Sequence, residues 1–376
     1  MISFQNLSFW EKETFLHKAD VLILGSGIVG LSTAIYLKQR NPAKKVTVLE
    51  RGYLPSGAST KNAGFSCIGS PSELLDDLKA SSPEQVFATV EKRWRGLQNL
   101  NQLLGTENIG YLELGSHELF RPHEQDVLSD CLNNLDILNS ELQQITGLQN
   151  VFQLAPEIPN NFGFEGFENA ISHKAEGQIN TGQMMRSLMK KAQDLDVIIL
   201  TGIEATQIDR NSLHTAHGNL SFDKLAICTN GFSKRFFPNM DVEPARAQVV
   251  VTSPIKDLKL KGIFHLDAGY YYFRNIGNRV LLGGGRNLDF KAENTTELKN
   301  TDLIINQLKK MLSENILPNS SFEIEHQWAG TMGVGKAKSP IIEQVEDNIY
   351  CGIRLGGMGV AIGSLVGKEL AEKLDQ

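Results

Sequence analysis

Gly25, Gly27 and Gly30 stand in the run Gly25-Ser-Gly-Ile-Val-Gly30, a G-x-G-x-x-G spacing, and Glu50 follows 20 residues after the last of them. Glycine at the first position permits a tight turn. At the second it lets the backbone approach a pyrophosphate, and at the third it lets a helix pack close to a sheet. A helix that opens there offers free N–H groups and a partial positive charge to phosphate oxygens. Glu50 can accept hydrogen bonds from ribose hydroxyls and would repel a 2′-phosphate, which disfavours NADP. The chemistry indicated is dinucleotide binding, although the glycines alone do not separate FAD from NAD.

The surrounding elements supply the context the motif needs. Residues 19–25, a continuous apolar run ending on glycine, predict a buried parallel strand. Residues 28–40 carry Leu31, Ala34, Ile35 and Leu37 at helical spacing and stop at Asn41-Pro42. Residues 45–50 form the second strand of a βαβ unit. Helices are expected over 83–104 and 124–146, the second with a stripe of Val127, Leu128, Cys131, Leu132, Leu135, Leu138, Leu142 and Ile145. Met184, Met185, Leu188 and Met189 read as core filler. Strands are expected at 196–200, 202–208, 224–228, 247–252, 270–274, 279–283 and 322–328, with helices at 302–312 and 359–374. The order is α/β, then β-rich, then α/β. It predicts a Rossmann-like α/β domain (1–75, 175–235 and 325–376) with an inserted antiparallel β-sheet substrate domain (76–174 and 236–324).

The net charge of −6 over 376 residues disfavours a nucleic-acid partner. The four cysteines, Cys67, Cys131, Cys228 and Cys351, show no C-x-x-C spacing, so no zinc site is signalled, and their sparseness fits a reducing compartment. The first 20 residues interrupt their apolar stretch with Glu11, Lys12, Glu13 and Lys18, unlike a signal peptide. No window reaches the roughly 18 uncharged apolar residues of a membrane helix. A cytoplasmic protein without integral membrane association is expected. His265 and His326 are isolated and read as structural, and no Ser-His-Asp arrangement or metal-ligand cluster is expected.

The run Asp20-Val-Leu-Ile-Leu-Gly-Ser-Gly-Ile-Val-Gly-Leu-Ser-Thr-Ala34, with Leu49-Glu50-Arg51-Gly52, resembles the D-amino-acid oxidase superfamily of FAD-dependent oxidoreductases. Glycine oxidase, sarcosine oxidase and γ-glutamylputrescine oxidoreductase are members. Gly57-Ala-Ser-Thr-Lys-Asn-Ala-Gly64 resembles the family's second flavin-contacting segment, Ala226-Ile-Cys-Thr-Asn-Gly231 its strand-end motif, and Gly356-Gly-Met-Gly-Val360 its C-terminal glycine segment. Tyr270-Tyr-Tyr-Phe-Arg274 and Val280-Leu-Leu-Gly-Gly-Gly285 resemble its substrate-domain strands. The resemblance runs in order along nearly the whole chain. It implies an FAD site of Gly25, Gly27, Ile28, Gly30, Glu50, Arg51, Ser59, Thr60, Asn62, Ala63, Gly64, Ile203, Thr229, Asn230, Gly231, Arg354, Gly356, Gly357, Met358, Gly359 and Val360. The flavin is expected to be non-covalent, because Lys61-Asn62 stands where some relatives carry the attaching histidine and no cysteine lies between Cys228 and Cys351.

The implied reaction is oxidation of a C–N bond: hydride leaves the carbon beside an amine for flavin N5, and the imine hydrolyses. One departure bears on the substrate. Trp328-Ala-Gly-Thr-Met332-Gly333 matches a glycine oxidase strand whose arginine binds the substrate carboxylate, and Met332 holds the arginine position. A thioether cannot make that bidentate contact. Tyr271, Tyr272 and Arg274 are the substrate-side candidates on a strand expected to face the flavin, with Tyr272 and Arg274 on one face. Arg354 and Arg286 are spare cations, and Arg286 reads as a surface residue. A small amine or amino-acid-like substrate is expected, with oxygen or quinone as electron acceptor. Leu281, where sarcosine oxidase has an oxygen-activating lysine, weighs against oxygen. The alternatives are a quinone-coupled dehydrogenase and a non-catalytic flavin-binding regulatory protein.

Overall fold

The computed structural model describes residues 3–376. Two eight-stranded sheets organise the chain. The path of the first runs Ile341–Glu346, Ile349–Ile353, Gly218–Ile227, Ala19–Leu24, Val46–Glu50, Ile198–Thr201, and a hairpin of Ala205–Asp209 and Ser212–Thr215 joins its third strand. Its five central strands pair in parallel, and Ile341–Glu346 closes one edge antiparallel. Burial on both faces explains the apolar run Val21–Leu24 and the largely apolar Val46–Leu49. Helices Ile28–Arg40, Pro83–Leu104, Thr181–Gln193 and Gly359–Leu374 share one large core beside this sheet, in which Met184, Met185 and Leu188 are buried. The Gln125–Thr146 stripe enters that core through Leu128, Cys131, Leu138 and Leu142, while Val127 is exposed.

The second sheet runs Ile324–Val334, Glu243–Thr252, Arg279–Gly284, Tyr271–Ile276, Ile263–Leu266, Ser116–Phe120, Asn169–His173, Phe152–Leu154. It is antiparallel except where Ile263–Leu266 pairs in parallel with Ser116–Phe120, because two distant segments join there. One face packs on helix Asp302–Met311. The other presents Val249, Val251, Leu281, Tyr272 and Trp328 toward Ala63 and Phe65. Residues 325–334, expected with the dinucleotide-binding part, instead pair along Glu243–Thr252 from Glu243↔Val334 to Thr252↔Ile324. The chain returns to the first sheet at Ile341. Among the described residues no helix is long and apolar enough to cross a membrane.

Candidate active site

A cavity of about 640 Å³ opens where the carboxyl ends of Ala19–Leu24, Val46–Glu50 and Gly218–Ile227 face the second sheet. Open α/β sheets bind ligands at this position, outside the carboxyl ends of adjacent parallel strands. Gly25, at φ +106, makes the turn from strand to helix, and a Cβ there would stand 2.8 Å from the Cys228 carbonyl oxygen. Gly27 is the N-cap of helix Ile28–Arg40 and has no side chain to close that helix end. The Ile28 N–H donates to Ser59 Oγ at 2.9 Å. A second helix, Gly359–Leu374, also begins at the cavity wall without a side-chain cap.

This donor set fits FAD. The pyrophosphate matches the open N-terminus of Ile28–Arg40, and the electron-rich edge of a reduced isoalloxazine matches that of Gly359–Leu374. Glu50, buried at its strand end, accepts the Ser26 hydroxyl at 2.7 Å on one oxygen and the Gly52 N–H at 2.9 Å on the other. The Ser26 N–H at 3.3 Å and the Ser56 hydroxyl at 3.4 Å make longer contacts to the same two oxygens, the ones that ribose hydroxyls would displace. Arg51, stacked 3.8 Å over the Phe232 ring, and Thr229 also line this limb.

Gly25, Gly27, Ile28, Glu50, Arg51, Ser59, Asn62, Ala63, Thr229, Asn230 and residues 356–360 are brought together on the cavity wall. Thr60 is not, since its hydroxyl donates to the Pro55 carbonyl at 2.6 Å. Ile203 packs in the core, with its N–H on the Glu50 carbonyl, and its neighbours Glu204 and Ala205 line the cavity instead. Gly30, Gly64 and Gly231 stand behind the wall, where a side chain would strike the carbonyls of Gly25, Ile179 and Met332. Arg354, at φ +63, is also behind it, held by Asp241 Oδ2 at 2.5 Å and the Ser339 carbonyl at 2.9 Å.

On the substrate side Tyr272 and Met332 line the cavity. Tyr272 meets Phe65 edge to face at 5.3 Å, and burial pushes its hydroxyl up to about 12. Tyr271 points the opposite way, into the core against helix Asp302–Met311. Arg274 shares the face of Tyr272 but is not a free cation. Its Nε donates to the Ala63 carbonyl at 2.5 Å and its Nη2 to the Ile179 carbonyl at 3.0 Å, and burial pulls it down to about 10. Arg286, expected at the surface, is half-buried and lines the cavity, because Gly284 and Gly285 turn the chain out of its strand there.

Sequence reading missed Cys67, Glu73, Asp77, Arg93 and His265 on this wall. His265 is not isolated: its Nε2 lies 3.5 Å from both Cys67 Sγ and Glu176 Oε2. Burial acts to lower the His265 pKa, but the Glu176 carboxylate outweighs it and raises it. Burial, reinforced by Glu176, pushes the Cys67 thiol well up. These three residues, with ligand atoms within 4.8 Å of one another, form the kind of cluster the sequence did not signal and have the donor types to hold a metal ion. Glu176 is already engaged by the Ile68 and Gly69 N–H groups and the Ser116 hydroxyl. No local spacing links positions 67, 176 and 265. The only available hint was the four-residue separation of Glu73 and Asp77 on helix Pro71–Ala80.

Residues 20–373 match the model of the FAD dependent oxidoreductase family, DAO, and the chain belongs to that family. It is 23% identical to the sarcosine oxidase subunit beta of Rhodobacter capsulatus, over 96% of this chain and 87% of the relative. It superposes on glycine oxidase from Geobacillus kaustophilus with a TM-score of 0.75 at 18% identity, covering 95% of each chain. L-proline dehydrogenase from P. horikoshii gives 0.73 at 17% identity, over 95% of this chain and 93% of that one. At these identities the structural likenesses speak for the fold. The chain is an FAD-dependent oxidoreductase.

Proposed function

We propose that this enzyme oxidises the C–N bond of an amine or of a larger N-substituted amino compound, yielding an imine that water hydrolyses. The observation that carries this reading is one continuous cavity, which joins the glycine cradle and Glu50 to a limb walled by Phe65, Tyr272 and Met332. FAD, when bound, supplies the two-electron acceptor. Ser59, Asn62 and Ala63 line the cavity, and Ala63 packs against the second sheet. Only a neutral amine donates hydride readily. Contact with Phe65, Tyr272 and Met332 favours that form, because an apolar surrounding penalises an ammonium.

Met332 supports an amine or an N-substituted compound over glycine or a simple D-amino acid. A carboxylate buried against it would lack a cationic partner and lose several kcal/mol in desolvation. The test is kcat/KM for glycine, D-alanine, sarcosine, putrescine and γ-glutamylputrescine, with Met332→Arg alongside. The native protein is expected to be poor on glycine and D-alanine, and Met332→Arg to improve on them. Efficient native turnover of either would sink the reading.

A second reading concerns the electron acceptor. Leu281, at the position of the oxygen-activating lysine in sarcosine oxidase, is buried against Ala63, Val249 and Val251 and supplies no cation there. That supports transfer to a quinone rather than to oxygen. Peroxide release during aerobic turnover would oppose it.

A further inference from the structure

We propose that Arg286 is the anion-binding residue of the substrate limb, and that it receives a carboxylate of the substrate at a place displaced from Met332. This rests on the reading of the cavity as the site of C–N oxidation and names the chemical class of its substrate: an amine that also carries a carboxylate remote from the reacting bond.

Four arginines stand at the substrate limb or just behind its wall. Three are spent on the protein: Arg93 on the Ile68 carbonyl at 2.8 Å, Arg274 on Ala63 and Ile179, and Arg354 on Asp241. The Arg286 side chain makes no hydrogen bond or ion pair with any described residue, and its Nε is shielded from solvent without a partner. The guanidinium is fixed instead by the Phe290 ring, 5.0 Å from its centroid. Glu293 is the carboxylate acting on it from nearby, and that group is consumed by Arg246 at 2.6 Å and Gln248 at 3.1 Å. Burial lowers the Arg286 pKa, as it does for a cation that has lost water and gained no partner. A ligand carboxylate relieves that cost and matches the planar guanidinium edge.

The register sets the displacement. Met332 is on the edge strand Ile324–Val334. Arg286 leaves the strand Arg279–Gly284, which lies two places in, with Gln248 bridging Ala329 and Gly284. Two inter-strand spacings put the two strands roughly 10 Å apart, and the side chains meet different neighbours, Met332 Sδ beside Gly357 and the Arg286 guanidinium over Phe290. A carboxylate on Arg286 is therefore held from another strand and beside other neighbours than an arginine at 332 would be.

The experiment uses the FAD-loaded protein titrated with acetate, glutarate and benzoate, read by the visible flavin spectrum and by calorimetry. At least one is expected to bind saturably. Arg286→Gln should raise its Kd about tenfold or more and Arg286→Lys recover part of the loss, with FAD content and Tm unchanged. Equal affinity in Arg286→Gln and the native protein, or no binding of any of the three to the native protein, overturns the proposal. Flavin reduction by putrescine without carboxylate binding leaves the oxidation reading standing and defeats this one. Carboxylate binding through Arg286 without reduction by any amine does the reverse.

Discussion

Arg274 clamps two segments that are far apart in the chain: its Nε donates to the Ala63 carbonyl and its Nη2 to the Ile179 carbonyl. The Ile179 N–H in turn donates to the Gly64 carbonyl at 2.9 Å. Since Ala63 lines the cavity, Arg274 fixes the backbone of the cavity wall. Arg274→Ala removes two charged hydrogen bonds worth about 1.5–3 kcal/mol each. It is expected to lower Tm and to raise the FAD dissociation constant about tenfold, with Arg274→Lys intermediate. An altered substrate preference at unchanged Tm and FAD affinity would place Arg274 at the substrate instead.

Glu50 ties Ser26 to Gly52 at the cavity wall, where the proposed FAD site would place a ribose beside it. Glu50→Ala is expected to weaken FAD binding at least tenfold, from about 1.5–3 kcal/mol of lost charge-assisted bonding, while the fold survives. Glu50→Gln, which keeps an acceptor oxygen, should fall between. An unchanged FAD dissociation constant in Glu50→Ala would show that the carboxylate serves the turn alone.

The flavin is expected to be released intact by acid or heat precipitation. Two cysteines, Cys67 and Cys228, line the cavity, yet burial pushes both thiols up, away from the thiolate needed for attachment. Yellow colour retained in the washed pellet would contradict this.

Glu118 gives a pH signature independent of the flavin. Burial raises its pKa to about 7, against the pull of hydrogen bonds from Ser72 and Ser70. An acid whose folded pKa lies above its unfolded value near 4.5 binds its proton more tightly when folded. Its contribution to stability is therefore greatest below pH 4.5 and declines as pH rises from 4.5 to 7. Glu118→Gln should flatten this decline, so that Tm at pH 8 gains a few degrees relative to Tm at pH 5. A parallel shift at both pH values would show that Glu118 is ionised in the fold.

The βαβ unit and its glycines were legible because each signal is local: an apolar run, a fixed spacing and a helix stop. The closing helix, expected at 359–374, is Gly359–Leu374. What was not legible is long-range. Ser116–Phe120 and Asn169–His173 are short, and their place in the second sheet depends on partners over a hundred residues away or on one another. The extension of Ile324–Val334 through Gly330 and Gly333 defied propensity, since glycine weakens strands in isolation; close backbone packing at Lys61 and Asn230 demands it there. The surroundings of Arg274 and Arg286 were not legible, because a sequence shows that a cation is present but not which carbonyls it meets.

Oxidation of a C–N bond in this cavity is tested most directly by mixing the FAD-loaded protein, without oxygen, with a panel of amines and amino acids while following flavin absorbance. Bleaching by at least one amine or N-substituted amino compound, with glycine and D-alanine slow, is the expected result. Full retention of the oxidised spectrum with every member of the panel would contradict it and favour a flavin-binding protein without turnover.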